Sequence, residues 1–110
     1  MWDKCDLPPL LLASRSPRRM MLLRQIGIPF EVVEPDGVRE RVPEPGENFS
    51  EVVVENALAK ATSVSQRFRE RLVVGADTLV DWRGRALGKP SNPKEAREML
   101  MTLSGDSHRV

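Results

Sequence analysis

The residues able to do chemistry are few, and they come in a definite order: Ser14, Ser16, Arg18 and Arg19, then Glu40, then Lys60, then Asp77 and Thr78, then Lys89. Cys5 is the only cysteine and His108 the only histidine. That excludes an internal disulfide, a cysteine-based metal site and a Ser/His/Asp triad within one chain. Catalysis would have to be built from Asp, Glu, Lys, Arg and Ser. If a metal takes part, carboxylates suit a hard cation such as Mg2+ or Mn2+.

The segment Ser14-Arg15-Ser16-Pro17-Arg18-Arg19 reads as a turn from a strand into a helix, with Ser16 as N-cap and Pro17 at the first helical position. Arg18 and Arg19 then fall in the first turn, where acidic residues are preferred because the helix end carries partial positive charge; the misplaced charges cost roughly 0.3–1 kcal/mol. A bound phosphate would offset this by meeting the helix N–H groups, the Ser14 or Ser16 hydroxyl and a guanidinium fork together. The ordinary alternative is two solvated arginines whose stems cover the sheet, and the turn alone does not choose between them.

Gly75-Ala76-Asp77-Thr78 runs from an apolar strand straight into an acid. The carboxyl ends of strands line the ligand crevice of α/β sheets, so Asp77 could hold a cation or activate a water; an acid capping a turn is the commoner arrangement. Lys89 in Gly88-Lys89-Pro90 could reach a phosphate or Asp77, or simply be exposed. Lys60 stands beside Ala57 and Ala61 on a helix and either points into a cleft or lies along the helix edge. Glu40, in a charged loop, is a candidate second metal ligand or a solvated side chain.

The elements that must position these groups follow from pattern. The 110 residues are 40% hydrophobic and 30% charged, which suits a globular domain or a piece of one. No apolar run is long enough to span a bilayer and no signal peptide stands at the start, so no membrane partner and a cytoplasmic location are expected. The net charge of +1 gives no reason to expect a stable nucleic-acid complex. Residues 1–9 are expected to be an irregular or disordered start. Strands are expected at Leu10–Ala13, Phe30–Val33, Leu72–Ala76 and Leu79–Trp82, with Arg83-Gly84 turning a hairpin into Arg85–Leu87.

The first helix should run from Pro17 to Gly27, after which a loop fills 34–47. A long helix should follow the capping pair Asn48 and Glu51, with Val54, Ala57, Leu58, Ala61 and Val64 on its apolar face. The last helix should start at Asn92-Pro93, show Ala96, Met99, Leu100 and Leu103 on one face, and end at Gly105. Ser107–Val110 reads as the start of one more strand. Strands alternating with helices make the class α/β, with a mixed, mainly parallel sheet flanked by helices. Val52 to Val54 and Trp82 could supply a homodimer patch, although burial in the core suits them as well.

Taken in order, the strand into S-x-S-P-R-R (Ser14 to Arg19), the helix carrying Ala59-Lys60-Ala61, Gly75 to Thr78, Gly88 to Pro90 and the closing L-S-G-x-x-H (Leu103 to His108) resemble the Maf family of nucleoside triphosphate pyrophosphatases, over residues 10–110. The resemblance implies a Maf and inosine-triphosphatase-like fold. It implies a magnesium-dependent hydrolase that converts nucleoside triphosphates, in the branch acting on dTTP and UTP, to the monophosphate and pyrophosphate. It gives Asp77 the role of proton acceptor, matches Arg18 and Thr78 to specificity positions, and matches Glu40, Lys60 and Lys89 to the catalytic cleft. Arg39 falls where an acid often sits, so Glu34 and Asp36 are substitutes for Glu40. Family members continue well past this point with further strands and a glutamine used in substrate selection, so the chain is expected to be an N-terminal, truncated portion. A non-catalytic nucleotide-binding fragment and a division-related interaction protein, suggested by the family's association with septum formation, are the competing expectations.

Overall fold

The computed structural model describes residues 8–87 and 92–110. Most of the irregular start expected at residues 1–9, and the whole of Gly88-Lys89-Pro90, lie outside the described residues.

The centre is β1 (Leu10–Ala13), in which all four residues are buried. An apolar run with no alternation suits a strand covered on both faces. β1 pairs in parallel with β2 (Phe30–Val33) on one side and β3 (Val73–Gly75) on the other. The strand order β2-β1-β3 means that the chain leaves β1 in one direction and returns on the other side of it. The carboxyl ends of β1 and β3 therefore flank a topological switch point, where open α/β sheets take their ligands.

Between β1 and β2 runs α1 (Pro17–Gln25), opened by Ser16, whose side chain accepts the Arg19 N–H. Between β2 and β3 runs α2 (Phe49–Ser65), opened by Asn48, which accepts the Glu51 N–H. Leu11, Ala13 and Val64 form a core cluster with Val33 and Val73 packed against it. The four strand residues among them share one sheet face, because side chains alternate along a strand, and Val64 of α2 packs on that face. Val32 and Val74 are on the other face, at 39% and 36% exposure.

One close approach fixes α2 on the sheet. A Cβ added to Gly75 would overlap the Ala57 carbonyl oxygen and stand 3.0 Å from the Ala61 Cβ. The bare glycine lets β3 and α2 touch backbone to backbone. This contact also corrects the expected apolar face of α2. The buried residues are Val52, Asn56, Lys60 and Val64, spaced by four, whereas Val54 and Leu58 are more than half exposed. Of the expected face, Ala57 and Ala61 lean on β3 and Val64 is buried, whereas Val54 and Leu58 are turned outward. Val52 belongs to the core, which removes it from the dimer patch and leaves only Val54 of that group exposed.

Beyond β3 the chain forms a separate antiparallel hairpin, β4 (Val80–Trp82) and β5 (Arg85–Leu87). Its turn uses Arg83 and Gly84, both at positive φ, the geometry that matches the strand twist in a two-residue turn. α3 (Pro93–Leu103) starts at Asn92 as expected, but none of its residues is buried. Of the expected apolar face, Leu100 is 70% exposed, while Ala96, Met99 and Leu103 are half-buried. The closing segment reaches the hairpin through a backbone bridge, Arg109 to Asp81, and through Asp106, which accepts the Trp82 indole N–H at 2.9 Å and pairs with Arg83 at 2.8 Å. No described helix is long and apolar enough to cross a membrane.

Candidate active site

The loop between β2 and α2 looks unstructured by composition, yet side chains of α2 hold it at two points. Ser63 Oγ accepts the Asp36 N–H at 3.0 Å and donates to the Asp36 carbonyl at 2.8 Å. About two turns away on the same helix, Asn56 makes the same double contact with Arg41, its Oδ1 accepting the N–H and its Nδ2 donating to the carbonyl, both at 2.8 Å. Arg41 in turn forks onto Glu47 at 2.8 Å and Glu55 at 2.9 Å. The Glu44 backbone N–H, with the Arg41 guanidinium adding to it, holds the Glu47 carboxyl below its usual range.

That strapping brings Glu40 over Lys60. The Lys60 ammonium lies 2.6 Å from Glu40 Oε1 and 3.3 Å from Asp77 Oδ1, and it also donates to the Ala76 carbonyl at 3.4 Å. The Lys60 and Asp77 side chains are 8% and 4% exposed, whereas Glu40 is 52% exposed. A buried charge must be paired and hydrogen-bonded to persist. Here the remaining Asp77 oxygen, Oδ2, accepts the Asn56 Nδ2–H at 3.0 Å. Of the candidate acids in the loop, Glu40 is the one that reaches the Lys60 ammonium: Glu34 pairs with Arg15 at 3.5 Å, and Asp36, although it borders the cavity, pairs with Arg67 at 3.6 Å.

The turn after β1 closes the other side. Ser14 is buried and its Oγ accepts the Ser16 N–H at 3.0 Å. Arg19 reaches across to β3's continuation, donating to Thr78 Oγ1 at 3.2 Å. The cavity between these parts, about 480 Å³, is lined by Ser14, Arg15, Ser16, Arg19, Arg39, Glu40 and Lys60 together with residues 35–38, Asp36 among them. Its size is that of a small-molecule pocket. Arginines and a lysine outnumber the acids around it, and it opens at a helix N-terminus with no acid in its first turn, an arrangement that favours an anion.

Of the residues singled out in sequence, Ser14, Ser16, Arg19, Glu40 and Lys60 line this cavity, and Asp77 and Thr78 are bonded to residues that do. Arg18 is exposed and is not among the lining side chains, and Lys89 lies outside the described residues. Sequence reasoning missed Asn56. A signal for it exists: in Val52, Asn56, Lys60 and Val64 two polar residues interrupt an otherwise apolar stripe at spacing four. Among the described residues no group of three His, Cys, Asp or Glu side chains is placed to hold a metal. The two acids that converge, Glu40 and Asp77, do so on a cation, the Lys60 ammonium.

The model of the family described as Maf-like protein matches residues 9–110. A dTTP/UTP pyrophosphatase of Akkermansia muciniphila is 45% identical over 104 residues, covering 94% of this chain and 54% of that protein. A dTTP/UTP pyrophosphatase of Bacillus cereus is 44% identical over 105 residues, covering 96% of this chain and 51% of that protein. One of Bacillus anthracis is 45% identical over 101 residues, covering 92% and 52% respectively. The chain spans about half the length of the curated relatives it matches.

Proposed function

Since the chain belongs to the Maf-like family, we propose that the whole protein hydrolyses nucleoside triphosphates, dTTP and UTP foremost, to the monophosphate and pyrophosphate, and that this chain carries the phosphate side of the site. The observation that carries the reading is the convergence of Glu40, Lys60 and Asp77 beside a cavity rimmed by Arg15, Arg19 and Arg39. Relatives named dTTP/UTP pyrophosphatase support the substrate class.

In this reading Asp77 takes the proton of a water that attacks the α-phosphorus. The bond from that phosphorus to the bridging oxygen breaks, and pyrophosphate leaves. Lys60 and Asn56 hold Asp77 Oδ1 and Oδ2 in fixed directions, so the carboxylate has one orientation rather than several. Arg19, tied to Thr78, and the N–H groups of the helix opened by Ser16 meet phosphate oxygens. Arg18 and Thr78 are proposed to contribute to the choice of substrate, and Lys89 to phosphate charge neutralisation.

Glu40 and Asp77 offer the oxygen donors that Mg2+ or Mn2+ prefers, and two carboxylates completed by substrate phosphates are a usual magnesium set. Both acids are paired with the Lys60 ammonium, so a metal here would share their oxygens with that cation. Such a metal, when bound, supplies charge neutralisation at the phosphates and acidifies water. Cytoplasmic location, where nucleoside triphosphates are made and used, belongs to the same reading.

The test is pyrophosphate release from dTTP, UTP and dATP, with and without Mg2+, by the full-length protein and by its Asp77→Asn variant. The expected result is metal-dependent release from the pyrimidine nucleotides that the substitution lowers by about 100-fold or more, the range of a lost general base. Undiminished rates in Asp77→Asn would overturn the assignment.

A further inference from the structure

Asn56 is 3% exposed, and every hydrogen-bonding position of its amide except one acceptor lone pair is used. Its Oδ1 accepts the Arg41 N–H, one Nδ2 hydrogen meets the Arg41 carbonyl, and the other meets Asp77 Oδ2. The double contact with the N–H and C=O of one residue fixes which end is oxygen, because a flipped amide would set N–H against N–H and C=O against C=O. A buried position between Val52 and Val64 would be filled more simply by an apolar side chain. An amide there needs partners on every side, and it has them.

We infer that Asn56 is a positioning residue that couples the two acids of the site. Directly, it turns the Asp77 carboxylate by holding Oδ2 while Lys60 holds Oδ1. Indirectly, it pins the backbone of Arg41 on both sides of its Cα, next to Glu40, and so holds Glu40 at the Lys60 ammonium. One side chain thereby sets the relative placement of three groups that come from a loop, a helix and a strand end. Neither contact places Asn56 on substrate; it acts through Asp77 and Glu40. The kinetic consequence rests on the pyrophosphatase reading, whereas the structural coupling stands apart from it.

The experiment compares wild type with Asn56→Asp, Asn56→Ala and a control, Asn92→Ala, which removes the cap of α3 and is not among the residues lining the cavity. Asn56→Asp keeps the acceptor for the Arg41 N–H but loses both donors and sets a second carboxylate against Asp77. Rates are taken with the folded fraction of each variant measured in the same buffer. The expected result is a fall in kcat of about 100-fold in both Asn56 variants, the cost of a small misplacement of catalytic groups, with KM changed far less. Asn92→Ala should lower the melting temperature and leave kcat per folded molecule at the wild-type value. Amide exchange, followed by NMR, reads the coupling without turnover: the Arg41 N–H should exchange roughly tenfold faster or more in Asn56→Ala, as for the loss of a buried hydrogen bond. The Asn56 side-chain amide resonances should move in Asp77→Ala.

If wild type releases no pyrophosphate, the proposed activity fails for this chain and the two NMR measurements decide the coupling. The coupling is overturned if Arg41 exchange is unchanged in Asn56→Ala and the Asn56 amide ignores Asp77→Ala. The catalytic part is overturned if the loss of rate disappears once corrected for folded fraction.

Discussion

Replacing Lys60 with methionine keeps much of the stem's volume and removes its charge. In the native chain the ammonium meets Glu40 at 2.6 Å and Asp77 at 3.3 Å, and the Asp77 side chain is only 4% exposed. Without Lys60, Asp77 keeps the single side-chain donor of Asn56, at 3.0 Å. Removing one partner of a buried ion pair costs about 3–5 kcal/mol, because the charge left behind is neither hydrated nor paired. Glu40 is 52% exposed and regains water, so its share is small and screened. The low end, about 3 kcal/mol, is therefore expected, against a total stability of roughly 5–15 kcal/mol for a domain of this size. That corresponds to a fall in melting temperature of roughly 10–20 °C. Urea unfolding followed by circular dichroism measures it directly, with an unchanged slope showing that the two states are the same. The double variant Lys60→Met/Asp77→Asn removes both charges and should cost at least about 1 kcal/mol less than the two single losses added together, the sign of a coupled pair. A loss below about 1 kcal/mol in Lys60→Met, or strict additivity in the double variant, would refute the buried-pair reasoning.

Three further outcomes follow from the same geometry. Gly75→Ala forces a methyl against the Ala57 carbonyl and Ala61, and it should cost about 1–3 kcal/mol by overpacking while moving Asp77 away from Lys60; a variant of native stability by urea titration would show that strand and helix do not meet there. Ser16→Ala removes the cap that accepts the Arg19 N–H at 3.4 Å, and it should cost about 0.5–1 kcal/mol, the low side for a cap because the bond is long; no measurable change in the urea midpoint would count against the cap. Asp106 is held below the usual aspartate range first by the Ser107 backbone N–H, then by the Trp82 indole N–H, with Arg83 adding to it. A depressed native value means that its stabilising contribution is complete above the unfolded value of about 3.9 and is lost as pH falls through the lower native one. The Trp82 indole N–H resonance should therefore move only below about pH 4, and a midpoint at or above the ordinary aspartate value would refute the contact.

Much of this molecule was legible because much of its signal is local. Ser16, Asn48 and Asn92 each accept a backbone N–H three residues on, so the residue type and its immediate followers suffice to place a helix start. Pro17 and Pro93 at helix starts, and Arg83-Gly84 in the hairpin, work through the dihedral angles of their own backbone. The order of Ser14 to Arg19, Lys60 and Asp77 along the chain named the ingredients of the site and the family. What the sequence by itself determined was therefore where elements begin and end, and which side chains were available for chemistry.

Only the tertiary structure decided which of them meet. The apolar count on α2 favours a face through Val54 and Leu58, yet the small residues Ala57 and Ala61 admit β3 at Gly75, and that contact turns Val52, Asn56, Lys60 and Val64 inward. Periodicity weighs hydrophobicity, whereas close packing here depends on which positions are small enough for backbone to touch backbone. Glu40, Glu34 and Asp36 are equivalent as acids in a charged loop. They are separated by contacts to Asn56 and Ser63, which lie 15 and 27 residues beyond the loop positions they hold. Local propensity carries no information about partners so far along the chain, so the pairing of Glu40 and Asp77 across Lys60, and the part Asn56 plays in it, arise only once α2 has docked on the sheet.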